Sequence, residues 1–185
     1  MLPLGTKVPD FSLPDTQSKI VSLADFKSAP ALLLMFICNH CPYVQHIAFA
    51  VAKLAAEYQK KGVAVVGINS NDAEKYPADS PALMREEVPR IGYTFSYLYD
   101  QKQSVAKAYR AACTPEFYVF DKDQRLVYRG RFDGSSPGNP TPTTGADLRA
   151  ALDAVLARKP VSSDQKPSMG CNIKWKPGNE PDYFK

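Results

Sequence analysis

The sequence predicts an α/β fold in which a central mixed β-sheet is flanked by helices. Residues 31–37 and 63–69 are short apolar runs of the kind that form strands buried on both faces. Between them, apolar side chains recur at helical spacing, so strand, helix and strand form the βαβ unit of a parallel sheet. Two later runs, 116–120 and 125–129, flank the polar residues 121–124 and predict an antiparallel hairpin, which makes the sheet mixed.

Length and composition limit the chain to one domain with appendages. With 185 residues, 44% of them hydrophobic, it can bury one sizeable core but is short for two. We expect a domain over residues 1–159 and a polar, proline-rich arm over 160–185. The net charge of +4 includes no long basic block, so neither nucleic acid nor a membrane is an expected partner. The lack of a signal-peptide pattern favours a cytoplasmic location.

The N-terminal third is expected to contain an extended segment, a strand and a helix. Residues 1–30 include four prolines, so they should run extended with short strands, the best candidate being residues 19–23. The helix after the first buried strand is expected to end near Gly62, which follows two lysines as a C-terminal cap. A polar loop, residues 69–79, then follows the second buried strand.

The remaining helices have start and stop signals of their own. Ser80 and Pro81 suit the N-cap and first position of a helix, and Pro89 is expected to end it. Thr144 and Asp147 resemble a capping box that opens the last helix before the arm. Shorter elements expected between these helices are a strand at 97–99 and a helix at 105–112.

Cys38 and Cys41 lie where the first buried strand passes into the helix. The first turn of a helix presents unpaired backbone N–H groups and a partial positive charge, which favour a thiolate over a thiol. Cysteines three residues apart there lie within the separation that disulfide geometry allows, so the pair is expected to switch between dithiol and disulfide. We expect Cys38, at the edge of the turn, to be the exposed attacking thiol, and Cys41, further into the helix, to resolve the mixed disulfide.

The Cys38-x-x-Cys41 motif is followed, far along the chain, by Thr114-Pro115 ahead of the hairpin and a closing helix. This combination resembles the thioredoxin superfamily. The segments Asp10-Phe-Ser-Leu-Pro-Asp15 and Val21-Ser-Leu-Ala-Asp-Phe26 are similar to the branch of thiol-specific antioxidant and alkyl hydroperoxide reductase-like proteins. The chain also resembles a bacterial group described as thiol-disulfide isomerases or thioredoxin family proteins, through the motifs Cys38-Asn-His-Cys-Pro-Tyr-Val44, Gly67-Ile-Asn-Ser-Asn-Asp72 and Gly170-Cys-Asn-Ile-Lys-Trp175.

The resemblance implies a thioredoxin-like fold with an N-terminal extension and a C-terminal arm. It also implies that the bond before Pro115 is cis, that this loop faces the cysteine pair, and that the backbone of Thr114 pairs with an extended substrate. Cys38, Cys41 and His40 are then the expected catalytic residues, and Thr114 and Pro115 the substrate-binding ones.

The chain departs from its relatives at two positions that hold proton acceptors. Thioredoxins have a buried carboxylate six residues before the first motif cysteine, where this chain has Leu32. Membrane-tethered reducing relatives have a glutamate three residues after the second cysteine, where it has Val44. Both departures weigh against fast reduction of substrate disulfides by the dithiol route of these relatives, which uses such a proton acceptor. His40, immediately before the second cysteine, is instead the arrangement of disulfide oxidants and isomerases, in which the dithiol form is stabilised.

Three further side chains each have two interpretations. His40 is either solvated without a role or tunes the Cys38 thiolate. Cys113, which the resemblance places beside the cysteine pair, is either a small buried hydrophobe or a third thiol that exchanges with Cys38 or shares a metal. Cys171, in the arm, is either an inert anchored thiol or an accessory redox partner, for Cys113 or for Cys38.

Three functions are open on this basis. The leading hypothesis is a thiol-disulfide oxidoreductase that uses no cofactor or metal beyond a redox-active Cys38–Cys41 disulfide. It would act on protein disulfides or small thiols, with an unidentified thiol reductant or oxidant as its partner. The second hypothesis is a peroxiredoxin-like thiol peroxidase with Cys41 as the peroxidatic residue. The third is a copper- or zinc-binding module that uses Cys38 and Cys41 with Cys113 or His40.

Overall fold

The computed structural model describes residues 1–184 and has a five-stranded mixed sheet at its centre. In chain order, the strands and helices are β1 (Ser12–Pro14), β2 (Ile20–Ser22), β3 (Ala31–Phe36), α1 (Pro42–Lys60), β4 (Ala64–Asn69), α2 (Pro81–Ile91), β5 (Ser96–Tyr99), α3 (Ser104–Ala108), β6 (Cys113–Thr114), β7 (Glu116–Asp121), β8 (Leu126–Gly130), α4 (Ala146–Leu156) and β9 (Cys171–Asn172). The sheet order is β5-β4-β3-β7-β8, with β3, β4 and β5 parallel and β7 and β8 antiparallel to their neighbours. The predicted fold class is confirmed.

Strand β3 lies in the middle of the sheet, where all its side chains are buried. This position suits it because every one of these side chains is apolar. Successive side chains of a strand point to opposite faces, so β3 contributes to two hydrophobic clusters. Leu33 and Met35 belong to the cluster under α1 and α4, whereas Leu34 and Phe36 belong to the one under α3 and the N-terminal β1–β2 hairpin. Within residues 1–184, none of the helices is long and apolar enough to cross a membrane.

Helix α2 runs further than the sequence predicts. Pro89 does not end it; the helix continues to Ile91 and is capped by Gly92 at φ 84°. Proline removes one backbone hydrogen bond, but Ile91 is buried and the left-handed glycine cap closes the last turn with a bond to the Val88 carbonyl. These two contributions offset the cost of the proline.

The start of α4 also differs from the prediction. Its N-cap is Gly145, at φ 72°, and no side chain caps the helix there. Instead, Oδ2 of Asp133 accepts hydrogen bonds from the backbone N–H groups of Thr144 (2.7 Å) and Gly145 (2.6 Å). A carboxylate from a preceding loop therefore replaces Asp147, the local partner that the capping-box pattern predicts.

The C-terminal arm returns to the domain and pairs with β6. Strand β9 is antiparallel to β6, with Cys171 directly opposite Thr114. Beyond it, Ile173 and Trp175 are only 2% and 7% exposed and pack in the cluster under α3. The division of the chain at residue 160 stays a prediction.

Candidate functional site

The two motif cysteines lie on either side of a short loop between β3 and α1. Cys38 follows the strand by two residues, and Cys41 is the N-cap of α1, whose first residue is Pro42. Their exposed fractions are 2% and 0%. The expected exposure of Cys38 is therefore wrong, and so is the expected placement of Cys41 inside the helix. The reason is tertiary: the β6 loop lies against both sulfur atoms, and the arm pairs with that loop.

The loop of Thr114 and Pro115 lies directly against both thiols. The peptide bond between these two residues is cis, as the resemblance implies. Thr114 Oγ1 lies 3.3 Å from Cys38 Sγ, and the Thr114 carbonyl accepts a hydrogen bond of 3.2 Å from the Cys41 thiol. Ionisation of Cys41 breaks this bond. The structure therefore brings Cys38, Cys41, Thr114 and Pro115 together.

The two thiols differ in acidity because their surroundings differ. A hydrogen bond from the Cys38 thiol lowers the pKa of Cys41; burial opposes this shift, and hydrogen bonds from the Cys171 thiol and the backbone N–H of Val44 support it. The same contact with Cys41 raises the pKa of Cys38, and burial and the negative charge of Asp79 raise it further. Cys41, at the positive end of α1, is therefore the cysteine that ionises first.

A buried carboxylate that the sequence analysis did not single out completes the site. Asp79 is fully buried, and its Oδ1 accepts hydrogen bonds from the backbone N–H groups of Asn39 (2.8 Å) and His40 (3.2 Å). Its Oδ2 accepts one from the side-chain amide of Asn71 (2.8 Å). Although the chain has Leu32 where thioredoxins have a carboxylate, a buried carboxylate from another part of the chain thus lies near Cys38. No local pattern distinguishes Asp79 from the other acidic residues of its loop.

His40 is held in place by two neighbours. Its Nδ1 lies 2.5 Å from Asp79 Oδ2, and its ring stacks on that of Tyr76, with 5.5 Å between ring centroids. In the part of the chain that the structure describes, Cys38, His40 and Asp79 form the one group of three potential metal ligands whose atoms lie within 4.8 Å of one another. Neither Cys41 nor Cys113 is in this group, so of the ligands of the metal hypothesis only Cys38 and His40 are brought together.

The β6–β9 ladder separates the two remaining cysteines. Residues directly opposite each other on antiparallel strands place their side chains on the same face. Cys171 is opposite Thr114, whose hydroxyl contacts Cys38, so the Cys171 side chain lies on the face of the ladder that meets the cysteine pair. Cys113 lies on the other face, with its thiol 3.8 Å from the Pro115 carbonyl, and burial raises its pKa. Of the two accessory candidates, Cys171 is the one that reaches the site.

A buried cysteine pair at a strand-to-helix junction, set against a cis-proline loop, is the arrangement expected of the thioredoxin superfamily. Within it, the chain belongs to the AhpC/TSA family, whose model matches residues 4–129. The superfamily and the branch predicted from the sequence are confirmed.

Individual relatives agree with this assignment. Peroxiredoxin Q of Triticum aestivum is 34% identical over 74 residues, which are 40% of this chain and 34% of that protein. Thiol-disulfide oxidoreductase ResA of Geobacillus thermodenitrificans is 26% identical over 124 residues, 66% of each chain. The crystal structure of a hypothetical protein from Sinorhizobium meliloti 1021 has 53% identity and a TM-score of 0.95, over 96% of this chain and 97% of that one.

More distant structures share the fold alone. Peroxidoxin BcpB from Mycobacterium tuberculosis has 19% identity and a TM-score of 0.64, over 85% of this chain and 98% of that one. The chain spans only part of the curated peroxiredoxin Q relatives, 34% of the wheat protein and 59–69% of the others. What those proteins do carries over to this chain only as a proposal.

Proposed function

We propose that the protein is a thiol-disulfide oxidoreductase that exchanges disulfides with protein or small-molecule thiols. The observation that carries this proposal is the contact of both Cys38 and Cys41 with Thr114 beside the cis proline. Two cysteines that are three residues apart and contact the same residue are close enough to form a disulfide with little backbone movement. The Cys38–Cys41 disulfide then stores the redox equivalents, and the exchange uses neither a cofactor nor a metal.

Cys41 is the better candidate for the attacking thiolate, and Cys38 for the resolving thiol. This reverses the order predicted from the sequence, because the helix N-terminus and the Cys38 hydrogen bond both act on Cys41. Cys41 attacks one sulfur of a substrate disulfide and expels the other as a thiolate. Cys38 then attacks Cys41 Sγ and releases the second thiol. The His40–Asp79 pair lies beside Cys38, where it can accept the proton that this thiol gives up.

The proposed partners are those expected from the sequence. An extended protein substrate would pair with the backbone of Thr114, and an external thiol reductant or oxidant would reset the cysteine pair. The mixed charge pattern supports neither nucleic-acid nor membrane binding. Isomerase activity and a cytoplasmic location stay predictions.

Cysteine variants in a disulfide exchange assay test the proposal. We expect Cys41→Ser and Cys38→Ser each to lower catalysed reduction of insulin by dithiothreitol to the uncatalysed rate. Cys113→Ser is the matched control and should keep the wild-type rate, because its thiol faces away from the pair. Titration of the wild type in glutathione buffers should give a Cys38–Cys41 disulfide with a potential between about −270 and −180 mV. Wild-type rates in both serine variants would overturn the proposal.

A thiol peroxidase is the second candidate, favoured by the family and by the lowered pKa of Cys41. A peroxidatic thiolate attacks peroxide and becomes a sulfenic acid, with which a second thiol condenses to give a disulfide and water. Stopped-flow mixing with micromolar hydrogen peroxide separates the two candidates. Oxidation far faster than that of a free thiol would favour the peroxidase, and oxidation at the rate of a free thiol would favour disulfide exchange.

A further inference from the structure

The C-terminal arm occupies the edge at which an extended substrate is expected to bind. Strand β9 pairs with β6, and the backbone N–H of Ile173 donates to the Ala112 carbonyl at 3.0 Å. This ladder places Cys171 opposite Thr114 and turns its side chain towards the cysteine pair. The chain thus presents one of its own thiols in the position of a substrate cysteine.

Gly170 shows that the arm and the loop fit each other closely. A Cβ atom added at Gly170 would lie 2.1 Å from the carbonyl oxygen of Thr114, a separation at which one of the two backbones must move. Glycine is therefore required for the arm to approach the cis-proline loop. This glycine directly precedes Cys171, so the close approach and the thiol are parts of one feature.

Buried polar and apolar groups hold the arm after Cys171. Asn71 Oδ1 accepts a hydrogen bond from the backbone N–H of Lys174 (2.9 Å), while its amide nitrogen donates to Asp79. The Gln103 amide donates to the Lys174 carbonyl at 2.9 Å. The Ile173 and Trp175 side chains pack in the core. Asn71 therefore links the arm to the carboxylate beside Cys38. Together with the β6–β9 pairing, this connects the arm to the site at two points.

We propose that the arm is a built-in substrate strand and that Cys171 forms a disulfide with Cys41, an oxidised state that alternates with Cys38–Cys41. The proposal rests on the thiol-disulfide exchange proposed above. It makes Cys171 a third redox-active thiol rather than an inert one. It also means that a protein substrate must displace the arm, whereas a small disulfide such as oxidised glutathione needs less room.

The exchange balances with an external disulfide as the oxidant. The Cys41 thiolate attacks one sulfur of that disulfide and expels the other as a thiolate, which takes a proton. Cys171 loses its proton to solvent, attacks Cys41 Sγ and expels the second thiolate. The external disulfide is thereby reduced to two thiols, and Cys41 and Cys171 are oxidised. Attack of the Cys38 thiolate on Cys41 Sγ then releases Cys171 and forms Cys38–Cys41.

Disulfide mapping in Cys38→Ser tests the proposal in the full chain. After oxidation with glutathione disulfide, peptide mass spectrometry under non-reducing conditions should find an intramolecular Cys41–Cys171 bond as the main product, with Cys113 free. A persistent glutathione adduct on Cys41, or a Cys113–Cys171 bond as the main product, would overturn it. The wild type in the same buffer reports separately on the proposed function. If it lacks a Cys38–Cys41 bond while Cys38→Ser forms Cys41–Cys171, disulfide exchange by the pair and the alternation of the two disulfides both fail, and only the bond between Cys41 and the arm stands.

A second variant tests the docking of the arm. In the Cys38→Ser background, Gly170→Ala should lower the yield of the Cys41–Cys171 bond about tenfold, the effect of losing ~1.4 kcal/mol of docking. It should also raise the rate at which iodoacetamide alkylates Cys41. Gly134→Ala is the matched control, because its added methyl group meets only ordinary contacts, the nearest at 3.7 Å. An unchanged yield in Gly170→Ala would overturn the docked arrangement.

Discussion

The acidity of Cys41 depends on its own helix turn and on Cys38. Because its pKa is lowered, its thiolate forms below the pH at which an ordinary cysteine, with a pKa of about 8.5, ionises. The alkylation rate of Cys41, normalised to its plateau, should therefore reach half-maximum below pH ~8.5. Cys38→Ala removes the hydrogen bond and should raise this midpoint. A pH series read by peptide mass spectrometry measures the midpoint in the wild type and in Cys38→Ala. An unchanged midpoint in Cys38→Ala would show that the Cys38 thiol does not lower the pKa of Cys41.

Asp79 acts on the other cysteine. In a Cys41→Ser background, we expect Asp79→Asn to lower the pH midpoint for alkylation of Cys38, because a nearby negative charge disfavours the thiolate. The asparagine keeps an oxygen for the two backbone N–H groups that Asp79 binds, while its NH2 group replaces the oxygen that accepts from Asn71. Glu86→Gln removes an exposed carboxylate on α2 and should leave the midpoint unchanged. A midpoint that stays or rises in Asp79→Asn would refute this role.

At the same scale, the sequence predicted those site residues that local motifs specify. The cysteine pair and Thr114-Pro115 lie in such motifs, and the structure brings them into contact. Asp79 could not be predicted, because its role depends on backbone groups some 40 residues earlier in the chain. The burial of Cys38 was missed for a similar reason: it depends on a loop 76 residues away.

At the scale of the elements, strands and helices with a strong periodic pattern were predicted reliably. Strands that form only by pairing with each other were not predicted. The apolar runs predicted β3 and β4 to within about one residue at the ends. The helical spacing predicted α1, although the helix begins after Cys41 rather than before it. Strands β6 and β9 have two residues each, too few for a periodic pattern, and they exist only because they pair with each other. Helix α3 is shorter than predicted, five residues at 104–108, since its last apolar positions lie in the turn that leads to β6.

The cap of α2 gives a prediction at this scale. Gly92 has φ 84°, and an added Cβ would meet nothing within 4 Å, so Gly92→Ala changes only the backbone preference. We expect it to lower the free energy of unfolding by about 1 kcal/mol in urea titrations. Gly134→Ala, whose φ is not in the left-handed region, should stay within about 0.5 kcal/mol of the wild type. Equal effects of the two variants would mean that the cap does not stabilise the last turn.

At the scale of the whole molecule, the question is whether the arm unfolds separately from the domain. Ile173→Ala and Leu34→Ala remove side chains from the same hydrophobic cluster, the first in the arm and the second in β3. We expect Leu34→Ala to lower global stability by about 2–5 kcal/mol. Ile173→Ala should instead raise the rate of native-state proteolysis between residues 160 and 170 and change global unfolding little. A global loss as large as that of Leu34→Ala, without faster cleavage, would show that the arm and the domain unfold as one unit.

The chain has a single tryptophan, and it lies in the arm, 7% exposed in the core cluster. Indole emission shifts to longer wavelength when the ring moves from an apolar environment into water. Tryptophan emission therefore reports the environment of the arm without any label attached, whereas the ten tyrosines are spread over the chain. Displacement of the arm should therefore shift this emission, which can be recorded in real time on the same sample whose thiols are being trapped.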